Sequence, residues 1–249
     1  MADAPTTRNR RPIAILTYHQ IALAPPKGTP YRSLVVAPKD FARHMQILHR
    51  LGYQGLSMSA LMPYLRGEKE GKVFGITFDD GYLNNLEHAL PVLQRLGFSS
   101  TCYVVSQRMG QTNVWDAEKG IPQVPLMSGA QLQQWIAGGQ EAGAHTRHHV
   151  HLPAMHAAQC EDEIRGCRAE LEQLLGVPVQ HFCYPYGEYT PTHIQQLQQS
   201  GYLSATTTQP GRAYAASSWW ELRRVSVVRR TSRWGLLLKV LTGFKDRQA

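Results

Sequence analysis

Long apolar runs are missing from these 249 residues. No stretch approaches the ~20 consecutive apolar residues that a membrane-spanning helix needs. The opening MADAPTTRNRRP is polar and lacks the apolar core of a signal peptide. Cysteine is sparse: Cys102, Cys160, Cys167 and Cys183, with no CxxC spacing. Cys160 and Cys167 share one face of an expected helix, but two turns apart, too far to bridge. With neither an export signal nor a disulfide framework, the expectation is a reduced, cytoplasmic protein. Acidic residues are outnumbered 18 to 26, which leaves a formal charge of +8 and a pI near 9.5. That excess suits an anionic partner. No nucleic-acid-binding motif accompanies it, so nucleic acid is not expected as that partner. The HExxH of zincins does not occur, and no histidine follows residue 200. Nothing in the pattern specifies an oligomer.

What remains is a chain of alternating strands and helices. Residues 1–11 read as a disordered basic leader. Pro12–Tyr18 is a buried strand ending at His19, and residues 20–37, with Pro25, Pro26, Gly28 and Pro30, form an irregular loop. Helices are expected over 40–51 and 59–66, the second capped by Ser57. Residues 72–78 are a strand, 83–96 a helix, and 99–105 a strand. The stretch 106–127, with Trp115, Pro122 and Pro125, is long enough to suggest the wall of a site. Ser128 caps a helix to about Ala137, and Glu141–Ala144 is a short strand. A single long helix is expected over 156–175, with Cys160, Ile164, Cys167, Leu171 and Leu174 inward. Strands at 179–184, 202–206 and 222–228 follow, with a helix at 191–200 between the first two. Strands alternating with helices imply a parallel sheet. About seven such units fit a distorted, incomplete (β/α) barrel spanning residues 12–228. Residues 229–249 then form a separate basic, amphipathic segment. As a helix it shows Trp234, Leu237, Leu238, Leu241 and Phe244 on one side and Arg229, Arg230, Arg233, Lys239, Lys245 and Arg247 as added charge. That is the composition of a helix lying on an anionic membrane surface or packed on the barrel.

The chemistry concentrates where strands end. Lys72–Tyr82 reads KVFGITFDDGY: a β-branched, apolar run that stops at two adjacent acids, Asp79 and Asp80. Two neighbouring carboxylates resist joint ionisation, and a cation offsets that cost. About 65 residues later comes His145-Thr146-Arg147-His148-His149, with two imidazoles four apart. One Asp and two His make a three-ligand set of the hydrolytic kind. The set suits Zn²⁺, and also Co²⁺, Ni²⁺ or Mn²⁺. His148 and His151 crowd the same segment, as supporting groups or as solvated ones.

TFDDG followed at this distance by HTxxH resembles the polysaccharide deacetylase family, the NodB-homology domain of carbohydrate esterase family four. The resemblance covers roughly residues 13–228. It implies a distorted (β/α)7 barrel and removal of N-acetyl groups from amino sugars, with Asp80, His145 and His149 as metal ligands and Asp79 as general base. Phe182-Cys183-Tyr184-Pro185-Tyr186-Gly187 resembles the RxPYG motif, which implies Tyr186 and Pro185 as oxyanion- and substrate-binding residues, the main-chain N–H of Tyr186 donating to the oxyanion and its side chain lining the groove. Cys183 stands where many members carry an Arg that orients the base. The usual C-terminal Leu-x-Ile-His is absent, while Leu16-Thr17-Tyr18-His19 lies near the start. This order resembles the circularly permuted branch that deacetylates poly-N-acetylglucosamine. It implies His19 as general acid and Leu16 in the wall of the acetyl pocket. Arg224 resembles a recurring Arg of that branch whose role the sequence does not supply. The partner implied is an N-acetylated saccharide or glycolipid. A silent carbohydrate-binding module on the same barrel, or a deformylase of a lipid-linked sugar, are the competing readings.

Overall fold

The computed structural model describes residues 11–244 and 246. Residues 1–10 of the expected leader, and residues 245 and 247–249 of the C-terminal segment, lie outside them. Among the described residues ten strands occur in chain order: β1 Ile15–Tyr18, β2 Gln20–Ile21, β3 Val35–Val36, β4 Gln54–Leu56, β5 Val73–Phe78, β6 Thr101–Val104, β7 Glu141–Ala144, β8 His181–Cys183, β9 Ser204–Pro210 and β10 Leu222–Ser226. β5, β6, β7, β8, β9 and β10 follow one another in space, and β1 pairs with both β10 and β5. The circle of seven strands is therefore closed, and its pairings are all parallel. The parallel (β/α)7 barrel expected from the sequence is present. β4 lies beside the first half of β5 and β6 beside its second half.

Period-two alternation splits the buried side chains into two sets. Leu16, Tyr18, Phe74, Ile76 and Phe78 face outward and join Phe41, Leu93 and Trp135 of the helix shell in the larger core. Ile15, Val73, Tyr103, Cys183 and Leu222 face the barrel interior. The helix Met58–Arg66 closes that interior from one end with Met58, Leu61, Met62 and Leu65. Its N-cap is Ser57, as its sequence position predicts.

Two helices depart from the sequence reading. The stretch 83–96 is two helices, Leu83–His88 and Leu90–Leu96. Pro91 lacks the N–H that would continue the first one and sits in the opening turn of the second. The stretch 156–175 begins as the helix Ala157–Glu161, widens into a π-turn at Asp162–Gly166, and resumes as Cys167–Leu175. Such widened turns recur at functional sites, and this one delivers Glu163 beneath the histidine loop. All four cysteines are buried free thiols.

Three histidines outside the pocket are buried where a proton is disfavoured. His181 lies in the barrel interior, its Nδ1 2.8 Å from Ser204 Oγ and its Nε2 3.0 Å from Ser59 Oγ. His44 Nε2 is 2.8 Å from the Thr231 carbonyl and its Nδ1 is 3.2 Å from Tyr18 Oη. Burial lowers the pKa of both, and of His193, below the usual 6.5. For a His lowered in this way, the folded state resists a proton that the unfolded chain accepts. Stability is therefore complete above about pH 6.5 and falls as the pH drops below it, by up to about 1.4 kcal/mol per pH unit per histidine. Denaturant melts between pH 7.5 and 5 should show this slope, and His181→Gln should make it shallower by about one proton. An unchanged slope would exclude His181 as a contributor.

Candidate metal centre and active site

The C-terminal ends of the strands surround a pocket of about 320 Å³. In parallel barrels this is the end that carries chemistry. β1 delivers His19, β5 delivers Asp79 and Asp80, β7 runs into His145 and His149, and the turn after β8 brings Tyr186. All six line this pocket.

Asp80, His145 and His149 converge. One ligand atom from each lies within 4.8 Å of the other two, and all three residues are buried. Asp80 Oδ1 is 3.4 Å from His145 Nε2 and 3.3 Å from His149 Nε2. The His145 Nδ1–H donates to the Cys183 carbonyl at 2.7 Å. That bond fixes the tautomer and turns Nε2 inward as a ligand. Burial opposes the charge on Asp80, but the two imidazoles outweigh it and hold its carboxyl well below the ordinary range. An ionised oxygen and two inward-facing nitrogens are a donor set that fits a divalent cation.

His149 is held differently. Its Nδ1 is buried with no hydrogen-bond partner. Instead the ring stacks on Trp115 at 4.5 Å and 18° and meets the edges of Tyr186 and His145 at 4.7 and 4.9 Å. Trp115 comes from the Val114–Lys119 turn in the long 106–127 segment, which forms one wall of the pocket together with Asp116, Ile121, Pro122 and Val124.

The histidine loop is fixed from below by Glu163. Its carboxylate accepts from the main-chain N–H of Arg147 at 2.8 Å and of His148 at 3.0 Å, and approaches His148 Nδ1 at 2.6 Å. His148 is therefore turned away from the centre. His151 pairs with Glu188 at 2.8 Å and stacks flat on Tyr186 at 3.8 Å. The sequence reading missed Glu163. Its signal was an acid three residues after Cys160 and four before Cys167, on the face expected to be inward.

Backbone strain gathers here. Asp80, Thr146, His149 and Tyr186 all have positive φ, between 59° and 74°. Non-glycine residues seldom adopt this region, and clusters of them occur at sites whose geometry the surroundings enforce. The Pro185–Gly187 turn needs Gly187 as well, because at its φ of 75° a Cβ would collide with Thr208.

Asp79 lies on the interior face of β5 and lines the same pocket as the Asp80 cluster. Arg224 grips it with both arms: Nη1 to Oδ1 at 2.7 Å and Nη2 to Oδ2 at 2.8 Å. The same guanidinium donates to Thr77 Oγ1 at 3.1 Å, to the Thr207 carbonyl at 2.9 Å and to Cys183 Sγ at 3.1 Å. Burial by itself would raise the Asp79 pKa. The Arg224 charge and hydrogen bonds, with smaller help from His19 and His145, bring it below the ordinary value. Arg224 thus supplies, from β10, the cation that Cys183 cannot. His19 Nε2 stands 4.0 Å from Asp79 Oδ2, and Asn85 anchors the His19 carbonyl at 2.8 Å.

Leu16 does not join these residues. It is fully buried on the helix-facing side of β1, in the outer core, because it lies an even number of residues from Tyr18 and so shares its side of the strand. An acetyl-pocket role for its side chain is therefore corrected. Pro185 is buried at the start of its turn, and Tyr184 and Tyr186 on either side of it form the pocket wall.

Residues 66–205 match the family model described as polysaccharide deacetylase. YxkH of Bacillus subtilis, which carries a polysaccharide deacetylase name, is 28% identical over 217 residues, covering 86% of this chain and 71% of YxkH. The Streptococcus pyogenes deacetylase PplD, solved in complex with acetate, superposes with a TM-score of 0.81 at 25% identity, over 92% of this chain and 98% of PplD. IcaB of Ammonifex degensii shares the fold, with a TM-score of 0.76 at 24% identity, over 93% of this chain and 97% of IcaB.

Proposed function

Because the chain belongs to the polysaccharide deacetylase family, we propose that it is a metal-dependent hydrolase. It removes N-acetyl groups from an amino sugar, in a polysaccharide or a lipid-linked saccharide, and releases acetate. One observation carries this reading: a convergent Asp80–His145–His149 donor set with a second, separately tethered carboxylate beside it on one pocket floor. The acetate bound to PplD is the product that such a reaction would release.

A divalent cation, Zn²⁺ first and Co²⁺, Ni²⁺ or Mn²⁺ as alternatives, would polarise the acetamide carbonyl and acidify water at this site. The protein supplies the rest. Asp79, kept ionised and aimed by Arg224, accepts the proton of the attacking water. The Tyr186 main-chain N–H donates to the charge that develops on the carbonyl oxygen, a contribution typically worth about 3 kcal/mol. His19, across from Asp79, gives its proton to the departing amine. Trp115 and Tyr186 contribute aromatic surface to the pocket wall, which suits the CH faces of a sugar ring. The substrate is met in the cytoplasm or at its membrane surface.

Among the described residues, no helix is long and apolar enough to cross a membrane. Cys183 in the usual Arg position is the feature that favours a silent module; the Arg224 guanidinium on Asp79 supplies a cation there and supports the enzyme reading.

The direct test is acetate release from N-acetylated amino-sugar oligomers with Zn²⁺ or Co²⁺ added. Activity should vanish with a chelator and return with the metal. Sugar binding without acetate release across several substrates would instead favour the silent module. Formate release from N-formyl analogues in preference to acetate would favour a deformylase.

A further inference from the structure

The segment after the last barrel strand is docked on one side and bare on the other. The helix Arg233–Leu241 is capped by Ser232, whose Oγ accepts from the Gly235 N–H at 3.1 Å. Leu236 and Val240 are buried against the barrel and the helix Pro38–Arg50. On the far side Trp234, Leu238 and Leu241 are 64, 46 and 45% exposed. Their i, i+4, i+7 spacing makes them one stripe pointing away from the body. A helix that had to cover the barrel alone needs no Trp and two Leu outside.

Charge identifies what the stripe faces. Residues 222–244 contain no Asp or Glu, and six Arg or Lys. Arg224 serves the active site, but Arg230 and Arg233 are exposed, and the Arg233 guanidinium lies 5.2 Å from the Trp234 ring. Lys39 and Arg43, on the adjoining helix, are exposed too, Arg43 offset by its pairing with Asp40 at 3.3 Å. An exposed Trp and Leu stripe flanked by cations is complementary to an anionic lipid surface, with the apolar side chains at the acyl boundary and the guanidinium groups at phosphate level. It is poorly matched to a second copy, since a two-fold contact through this stripe brings Arg230 and Arg233 toward their own equivalents.

We propose that this helix docks the protein on an anionic bilayer surface through Trp234, Leu238 and Leu241, with Arg230 and Arg233 at the headgroups. The segment that leads into this helix touches the pocket rim. The Arg229 N–H donates to the Ser33 carbonyl at 2.8 Å, and the neighbouring Pro30, Tyr31 and Arg32 line the pocket. A saccharide on a lipid carrier would thereby reach the pocket from the surface on which the helix rests. That last step rests on the deacetylase reading, whereas lipid binding does not.

Vesicle flotation of the full chain tests it, with phosphatidylcholine alone and with phosphatidylglycerol added to about one third. Wild type should float with the anionic vesicles and not with the neutral ones. Trp234→Ser/Leu238→Ser/Leu241→Ser should lose about tenfold or more in partitioning, as should Arg230→Glu/Arg233→Glu. Both variants should keep wild-type melting and wild-type acetate release from a soluble substrate. Absence of wild-type binding, equal binding to neutral vesicles, or undiminished binding by the Ser variant would overturn the proposal. So would a wild-type dimer that the Ser variant dissolves, since the stripe would then be an interface between copies. Lipid binding with no acetate release from any substrate would sink the deacetylase reading and leave this one standing.

Discussion

Asp80→Asn should lose acetate release by on the order of 10³-fold, and lose bound metal with it. The substitution keeps the shape of the side chain and removes only its charge. That charge is what draws His145 and His149 together, each nitrogen lying within 3.4 Å of Oδ1, and what would neutralise a divalent cation in a fully buried position. Several kcal/mol of transition-state stabilisation is the ordinary share of such an ion, and about 4 kcal/mol corresponds to that factor. Metal content by elemental analysis, read beside acetate release, separates the two effects. Full metal occupancy with unchanged activity in Asp80→Asn would remove the metal centre from the mechanism. His148→Ala is the contrast: its ring is turned to Glu163 at 2.6 Å, so it should cost far less activity and leave the metal content intact.

Most of the architecture could be read from local patterns. Strand ends are marked by a switch from apolar runs to polar residues, and β5 halts at Asp79 as its sequence suggests. Capping residues were legible because each acts within a few positions, as Ser57 and Ser128 do. The misreadings came where a signal is non-local or where two local signals compete. Apolar spacing continued through Pro91 and concealed the break there. Apolar spacing through 160–171 likewise concealed the π-turn that aims Glu163. The wall built by Trp115 was legible only as a loop too long to be a plain connection, while its stacking on His149 depends on a fold that brings the 106–127 segment over β7. Leu16 shows the limit of motif transfer: the motif fixed its place in the strand, but the strand's alternation decides which way the side chain points.

Arg224 was the least legible residue and carries the second large effect. It lies 145 positions from Asp79, and only closure of the barrel by β10 against β1 brings the two together. Replacing it by Met leaves Asp79 as a buried carboxylate with no partner but a distant His19. Loss of one member of such a pair costs about 3–5 kcal/mol. That is a cost in stability; in activity, with Asp79 no longer aimed or held ionised by the guanidinium, Arg224→Met should fall by about 10²-fold in acetate release while still binding metal through Asp80, His145 and His149. Arg224→Lys keeps a charge but not the two-armed geometry, and should recover only part of the loss. The double substitution decides whether the effect runs through Asp79. If Arg224 acts by aiming and charging that carboxylate, then on an Asp79→Asn background Arg224→Met should add little, because residues that act as a unit are not additive. Fully additive losses, or wild-type activity in Arg224→Met at unchanged metal content, would show that the guanidinium from β10 is packing and that Asp79 needs no partner. The same experiment bears on Cys183, whose Sγ accepts from Nη2 at 3.1 Å. Once the cation arrives from β10, an Arg at position 183 would crowd a second guanidinium into the same buried space, which gives a physical reason for a small thiol at that position.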